Sequence, residues 1–214
     1  RPYRVGDFSV DANENLVIER LTKLELGLDW QISDRLFASL SLFRDHLRDS
    51  VANVSSPIDP NDAQRINLDQ ARAQGIEIAL DWQFADDLSL RLSSLLLDTE
   101  VTSCPENPGI VGSRFAQAPE HRSVATFSWT PSPWQFRLDA RHESNRHDDA
   151  RNSRLLEDSL TLDLSLARAV SDNARLHLSI HNLADEETQT GLSSDAIIST
   201  GAPRNLVLGL EWEF

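Results

Sequence analysis

From residue 22 to the end, apolar and polar side chains alternate one by one, the period of a β-strand whose two faces meet different surroundings. Leu24, Leu26, Leu28, Trp30 and Ile32 alternate with Lys23, Glu25, Gly27, Asp29 and Gln31. Ile76, Ile78, Leu80, Trp82 and Phe84 alternate with Glu77, Ala79, Asp81 and Gln83. The pattern returns over Trp134 to Ala140, Leu160 to Leu166, Leu176 to Ile180 and Leu206 to Phe214. Leu36 to Leu42, Leu88 to Leu92 and Val124 to Trp129 are less regular members, so about nine strands are predicted.

The connections come in two sizes, in alternation. Short ones lie near 32–35, 85–87, 130–133 and 170–174, long polar ones near 47–68, 98–120, 142–158 and 182–203. Tight turns at one end and long loops at the other describe an up-and-down meander of the outer-membrane type. All five tryptophans, Trp30, Trp82, Trp129, Trp134 and Trp212, fall beside a short turn or the C-terminus, joined by Phe37, Phe84, Phe136 and Phe214. Indole and phenyl rings gather where greasy meets wet, so these positions predict a periplasmic aromatic girdle with Phe214 as the final anchor. A soluble sandwich also alternates, but its strands favour Val, Ile and Thr, whereas these apolar faces are mostly Leu with Trp at the ends. The fold class is therefore all-β, an antiparallel up-and-down transmembrane β-barrel wall.

Charge narrows the partners. The 214 residues carry a formal net charge of −14, which argues against nucleic acid, because phosphate binding needs clustered Lys and Arg. No stretch reaches the ~18 uninterrupted apolar residues of a membrane helix. The chain contains no Met, not even at position 1, and is read as part of a longer protein. The single Cys104 cannot form an internal disulfide.

Five segments, in order, resemble one family. "NENLVIERLTKLELGLDW" is similar to an Asn-Pro-x-Leu-x-Pro-Glu loop followed by a Glu-x-Gly strand, through Asn13, Leu16, Glu19, Glu25 and Gly27, with Glu14 and Ile18 in place of the prolines. "NLDQARAQGIEIALDW" carries an Asn-x-x-x-Ala-x-x-x-Gly-Ile-Glu element in Asn67, Ala71, Gly75 and Glu77. "RFAQAPEHRSVATFSW" resembles an Arg-x-Pro-x-His strand start through Pro119 and His121, with Gln117 at the Arg position. "HNLADEET" is similar to an Asn-Leu-Phe-Asp-x-x-Tyr corner, with Ala184 and Thr188 replacing the aromatics, and "GAPRNLVLGLEWEF" to a closing Gly-x-Pro-Arg strand with a terminal Phe. Together they resemble the C-terminal part of a TonB-dependent outer-membrane receptor of the siderophore or vitamin B12 type.

The resemblance implies a complete barrel of about 22 strands around an N-terminal plug. Residues 1–20 would be an external loop and 21–214 the last nine strands or so, with plug, TonB box and signal peptide upstream. It implies import of a scarce nutrient, such as a siderophore-iron complex or cobalamin, energised by TonB. A passive porin or other channel barrel, or a soluble secreted β-protein that binds carbohydrate or protein, are the alternatives. The soluble reading needs Leu24, Ile78 and Leu208, with their rows, buried against a second sheet. Further expected partners are the barrel-assembly machinery, reading Phe214 as its signal, and outer-membrane lipid and lipopolysaccharide. Isolated from its upstream neighbour, a nine-strand sheet leaves its first and last strands with unpaired backbone groups.

No enzymatic site is expected: there is no Gly-x-Ser-x-Gly elbow, and no cofactor is implied. His142, His147, Asp148 and Asp149 are the densest chemical cluster, read as a solvated polar loop because their spacing matches no recurrent metal site. Excess acid in the loops suggests divalent cations that bridge lipopolysaccharide. Lys23, Glu25, Asp29, Glu77, Asp81, Arg91, Arg137, Asp139, Arg141 and Asp163 form the expected wet inner face, with His177 and His181 in the same register as Arg175. Arg48, Asp49, Arg114, Phe115, Arg146 and His147 are the candidate ligand contacts from external loops.

Overall fold

The computed structural model describes residues 3–5, 8–55, 62–193 and 195–213; Phe214 lies outside the described residues. Nine long strands follow one another in strict chain order: β1 (Arg20–Ser33), β2 (Leu36–Ser55), β3 (Asp62–Ala85), β4 (Leu88–Ser103), β5 (His121–Trp129), β6 (Trp134–Glu143), β7 (Ser159–Ser171), β8 (Ala174–His181) and β9 (Asn205–Trp212). Each pairs antiparallel with its neighbours in chain order, β1 with β2 alone and β9 with β8 alone. A short hairpin, Tyr3–Val5 with Phe8–Asp11, joins the sheet through a parallel pairing of Ser9–Asp11 with Asp62–Gln64. One 3₁₀ turn, Pro108–Ile110, is the only helical element among the described residues.

Register turns the sequence alternation into two continuous surfaces. On one face Leu36, Trp82, Leu90, Phe127, Leu138, Leu164, Ile180 and Leu206 stand side by side across eight strands. On the other, Gln31, Phe37, Asp81, Arg91, Thr126, Asp139 and Asp163 form a polar row. A one-residue slip anywhere would mix these rows, so the two-sided environment fixes the pairing.

The apolar face packs against no second sheet. Leu24 is 74% exposed, Ile78 50% and Leu208 72%, which removes the soluble-sandwich alternative. A contiguous apolar surface of this extent is stable only against hydrocarbon. The buried core lies instead outside the belt, where Cys104 and Ile110 and the adjoining Phe115, all from the long link after β4, close on Val54, Ile66, Leu68 and Val101.

Several charges of the polar face are closed into ion pairs. Lys23 pairs with Glu25 at 2.9 Å, Arg91 with Asp81 at 2.5 Å, and Arg137 with Asp139 at 2.7 Å, while Thr126 donates to Asp139 at 2.6 Å. The expected inner-face set is thereby brought into one register, and a wet lumen can hydrate what remains.

Two expectations change. Segments 47–68 and 98–103 were expected as loop, yet β2 runs to Ser55, β3 begins at Asp62 and β4 ends at Ser103. Above the belt charged residues such as Arg44, Arg48, Asp49 and Arg72 break the alternation and the two-sided contrast fades, while backbone pairing such as Arg48 with Gln70 and Ser55 with Ala63 continues. Phe37 was expected with the girdle but sits in the polar row between Gln31 and Asp81. Its odd position puts it on the face opposite Leu36 and Ala38.

The tryptophans all lie at the short-turn end. Trp82 packs on Phe84 with ring centroids 3.9 Å apart, Trp129 on Phe136 at 5.0 Å, and Arg168 lies 4.8 Å over the Trp134 ring. Gly75 is required by a close approach: a Cβ there would stand 2.7 Å from Phe43 Cζ and 2.4 Å from the Leu96 carbonyl oxygen. Phe43 faces Gly75 across the strand pair and lays its ring on the bare backbone.

Two outcomes follow from this geometry. Gly75→Val in the full-length protein displaces the Phe43 ring and costs about 1–3 kcal/mol, read as a lower thermal midpoint; an unchanged midpoint contradicts the packing. β1 and β9 each have a single sheet neighbour. Residues 1–214 expressed alone in membranes should give no heat-modifiable folded band, because two open edges in hydrocarbon leave rows of amides and carbonyls unpaired.

Candidate functional site

The long links after β4, β6 and β8 meet at the end of the sheet opposite the tryptophans. The first returns beside the free flank of β4, with Gly112 N donating to Val101 O at 2.8 Å, Val101 N to Ser113 O at 2.9 Å, and Leu97 N to Glu120 O at 2.8 Å. The second folds into a small ladder, Arg146–His147 with Leu155–Leu156, and the third into another, Gln189–Leu192 with Ile198–Thr200.

Side chains then tie the three together. Arg114 N donates to Asn152 Oδ1 at 2.6 Å, and Asn152 Nδ2 returns a bond to Arg114 O at 3.0 Å. Gln117 N donates to His147 O at 2.7 Å, its amide nitrogen donates to Asp148, and its amide oxygen accepts from Arg146 Nε at 3.0 Å. The third link is held by Arg146 Nη2 donating to Gln189 O at 3.0 Å and Leu192 N donating to Asp148 Oδ2 at 3.2 Å. Gln117, Asn152, Asn182 and Asp185 hold positive φ angles of 60°, 55°, 52° and 57°. Asn and Asp tolerate that region better than most residues.

Asp149 organises the middle loop from within. It is buried, and its carboxylate accepts from Arg151 N at 3.1 Å, Ser153 N at 2.9 Å, Ser153 Oγ at 2.9 Å and Arg154 N at 2.8 Å. Burial pushes the carboxyl pKa up, but the Arg154 and Ser153 donors and the Arg154 charge outweigh it and hold the group below the ordinary carboxylate range.

Four of the six candidate contacts, Arg114, Phe115, Arg146 and His147, are gathered at this junction. Arg114 is neutralised by Glu120 and lies 3.5 Å from Asp98. Arg146 has a side chain only 9% exposed and sits 3.4 Å from Glu143. Phe115 packs on the buried cluster and its N donates to Thr99 Oγ1 at 3.0 Å. Arg48 and Asp49 lie elsewhere, on β2 rather than in a loop, with Arg48 opposite Arg20 and Gln70. His142 is on β6 with its ring tilted against that of His121, centroids 5.3 Å apart, so the expected His142, His147, Asp148, Asp149 cluster is divided between strand and loop. Among the described residues no group of three or more His, Cys, Asp or Glu is arranged to hold a metal ion.

The segments that carried the family resemblance are clamps. Asn67 accepts from Val17 N at 2.9 Å and donates to Val17 O at 3.1 Å, while Glu19 accepts from Val51 N. Asn182 binds Glu186 at both ends, 2.8 Å each, and donates to Ala202 O at 3.2 Å. Asp185 accepts from Arg204 N at 2.8 Å, joining the corner to the closing strand.

Residues 3–183 match the family described as TonB dependent receptor-like, beta-barrel. The chain belongs to this family. The TonB-dependent receptor barrel is an outer-membrane structure and a transport receptor rather than an enzyme class. The iron-regulated outer membrane virulence protein of Vibrio cholerae is 25% identical over 197 residues, covering 85% of this chain and 30% of the relative. The metal-pseudopaline receptor CntO of Pseudomonas aeruginosa is 27% identical over 207 residues, covering 94% of this chain and 28% of the relative. Among solved structures, the ferric yersiniabactin uptake receptor FyuA from Yersinia pestis superposes with a TM-score of 0.77 at 18% identity, covering 92% of this chain and 30% of that one. The chain thus spans roughly a third or less of the TonB-dependent receptors it matches.

The Asp149 geometry sets a pH dependence. A carboxyl whose folded pKa is depressed contributes stability above its unfolded pKa of ~3.9 and loses it as pH falls through the folded value. Proteolytic protection of residues 144–158 in the full-length receptor should hold from pH 7 to about 5 and decline below about 4. Asp149→Ala should loosen the loop by about 1–3 kcal/mol at pH 7 and flatten that decline; wild-type protection at every pH would contradict the assignment.

Proposed function

We propose that the complete protein is an outer-membrane receptor that captures a scarce metal chelate of the siderophore type and imports it with energy delivered through TonB. The observation that supports this most is the pairing of a lipid-exposed Leu and Trp wall with an inner face of closed ion pairs, Lys23 with Glu25 and Arg137 with Asp139, below a tied loop junction. Such a wall suits a lumen filled by water and a plug, and such loops suit an entrance of fixed shape. On this reading residues 1–20 lie on the external side, 21–214 are the C-terminal portion of the barrel, and assembly ends on Phe214 through the barrel-assembly machinery.

Arg114, Phe115, Arg146 and His147 then act as posts of the entrance: the side chains of the first three are engaged within the protein, His147 is held through its backbone, and the ligand meets the frame that they hold. The relatives' names, a ferric yersiniabactin uptake receptor and a metal-pseudopaline receptor, favour a metal chelate over cobalamin as cargo.

Deleting the gene should abolish growth on one or a few ferric chelates under iron limitation and leave growth on free iron salts intact, and the same loss should follow inactivation of TonB. Uptake that survives loss of TonB would mean a passive channel. A defect confined to cobalamin-dependent growth would move the cargo class.

A further inference from the structure

Ionisable side chains are rare on the lipid face of a membrane wall, and where they occur they mark function. Two histidines stand there together. On β5 the odd positions share the face of Phe127 and Trp129, and on β6 the even positions share that of Trp134, Phe136 and Leu138, so His121 and His142 both point outward. Their rings lie 5.3 Å apart, centroid to centroid, with planes inclined at 54°. Eight residues separate His121 from Trp129, and eight separate His142 from Trp134. At a rise of ~3.3 Å per residue and a strand tilt of ~40°, the pair stands about 20 Å above the tryptophans, in the top of an apolar band about 25 Å tall. The other described histidines are set singly: His46 on β2, His147 in the small ladder, His177 over the Gly209 backbone, and His181 3.9 Å from Asp163.

One ring is held and the other is bare. His121 Nε2 lies 3.0 Å from Ser94 Oγ and 2.8 Å from Ser123 Oγ, and Ser123 Oγ donates to Ser94 Oγ at 2.9 Å. His121 Nδ1 and both ring nitrogens of His142 make no hydrogen bond with the described residues. An imidazole with one nitrogen fixed by a partner and the other left free is arranged as a metal ligand is. Two imidazoles on one tetrahedral ion, each bound at ~2.0–2.1 Å, place their centroids roughly 5 Å apart, which the observed spacing matches. Ions also have a way in. An open cavity of about 700 Å³ adjoins His121, and its charged lining, Arg44 and Arg114 against Asp98 and Glu120, does not repel a cation. His142, Ser94 and Ser123 line a second cavity of about 440 Å³.

We infer that His121 and His142 bind a divalent transition-metal ion, Cu(II) in preference to Zn(II), in a two-histidine site completed by water and by the hydroxyl of Ser94 or Ser123. Imidazole nitrogen suits both ions, and copper binds such sites the more tightly. The ion is separate from any that a captured chelate carries, because the pair stands on the outside of the wall. Its position gives it an effect. His121 opens β5 where the link after β4 ends, and His142 lies one residue from the end of β6, where the next link leaves. Ser144 N donates to His121 O at 2.9 Å and His121 N to Ser144 Oγ at 3.1 Å, so the feet of the two links already touch. A bound ion adds a side-chain clasp at those feet and steadies the links that Arg114, Asn152 and Gln117 tie above.

The test uses the untagged full-length receptor in detergent, freed of metal with a chelator and titrated with free copper and zinc salts in the absence of any siderophore. The wild type should take up one Cu(II) whose electron paramagnetic resonance spectrum shows nitrogen ligands, with Zn(II) weaker at the same site. H142Q should bind Cu(II) about tenfold or more weakly, at least the loss that follows removal of an outer-shell partner, while H46Q binds as the wild type does. Copper should also raise the proteolytic protection of residues 144–158 in the wild type and leave that of H142Q unchanged. Where H142Q does not fold, the wild type suffices: saturating copper should shield His121 and His142, and not His46, from labelling by diethyl pyrocarbonate. Equal copper affinity of wild type and H142Q, copper that leaves this pair open to the label, or no binding up to millimolar copper overturns the site. Tighter binding of Zn(II) than of Cu(II) overturns the choice of metal, and wild-type protection that copper does not move overturns the clasp.

Discussion

Backbone amides and carbonyls inside hydrocarbon have no water to turn to, and the arrangement of this chain follows from that constraint. A strand satisfies them only through its neighbours, so every strand between β1 and β9 is paired on both sides over its belt residues. Once pairing is obligatory, side chains are free to differ only between the two faces. The Leu rows on one side and the closed ion pairs on the other are the two solutions to lipid and to water. The usual central core is displaced by this logic to the external end, where the link after β4 can bury Ile110 and Cys104 against Val54, Ile66, Leu68 and Val101.

The same constraint explains what the sequence discloses. Within the belt each side chain reports which solvent it meets, so Leu24, Ile78 and Leu208 and their neighbours read as strands with correct register parity. The five tryptophans report the interface because an indole is stable at few other depths. Above the belt that information weakens: Arg44 to Ser55 stay paired but carry Arg44, Asp45, His46, Arg48, Asp49 and Asn53 on their two faces, and period alone assigns them to a loop. Phe37 misleads for a related reason, since aromatic character near a turn does not say which face it occupies.

The loop junction was legible only in part. Arg114, Phe115, Arg146 and His147 are conspicuous by type and converge, but residues less conspicuous in the sequence do the tying. Asn152 and Gln117 join links that are 38 and 31 positions apart through single amides. No local pattern reveals such a pair, because an amide side chain bonds equally well to solvent, to its own turn or to a distant carbonyl. The motif residues Asn67, Asn182 and Asp185 were informative as markers of family while their mechanical duty stayed hidden until Val17, Ala202 and Arg204 appeared beside them.

Charge placement links the wall to the loops. A chain with a net charge of −14 could have scattered its cations to relieve acidic repulsion. Instead most of those with carboxylate partners lie on the inner face or in the loop junction, where Arg137, Arg141 and Arg114 close short ion pairs and Arg146 a longer one. Exposed pairs of this kind add little stability individually, since water and salt screen them. Their worth lies in direction: each sets the orientation of a long side chain along a surface that water must wet. The most conspicuous cations of the loops, Arg114 and Arg146, are thus spent on Glu120 and Glu143 of the protein itself.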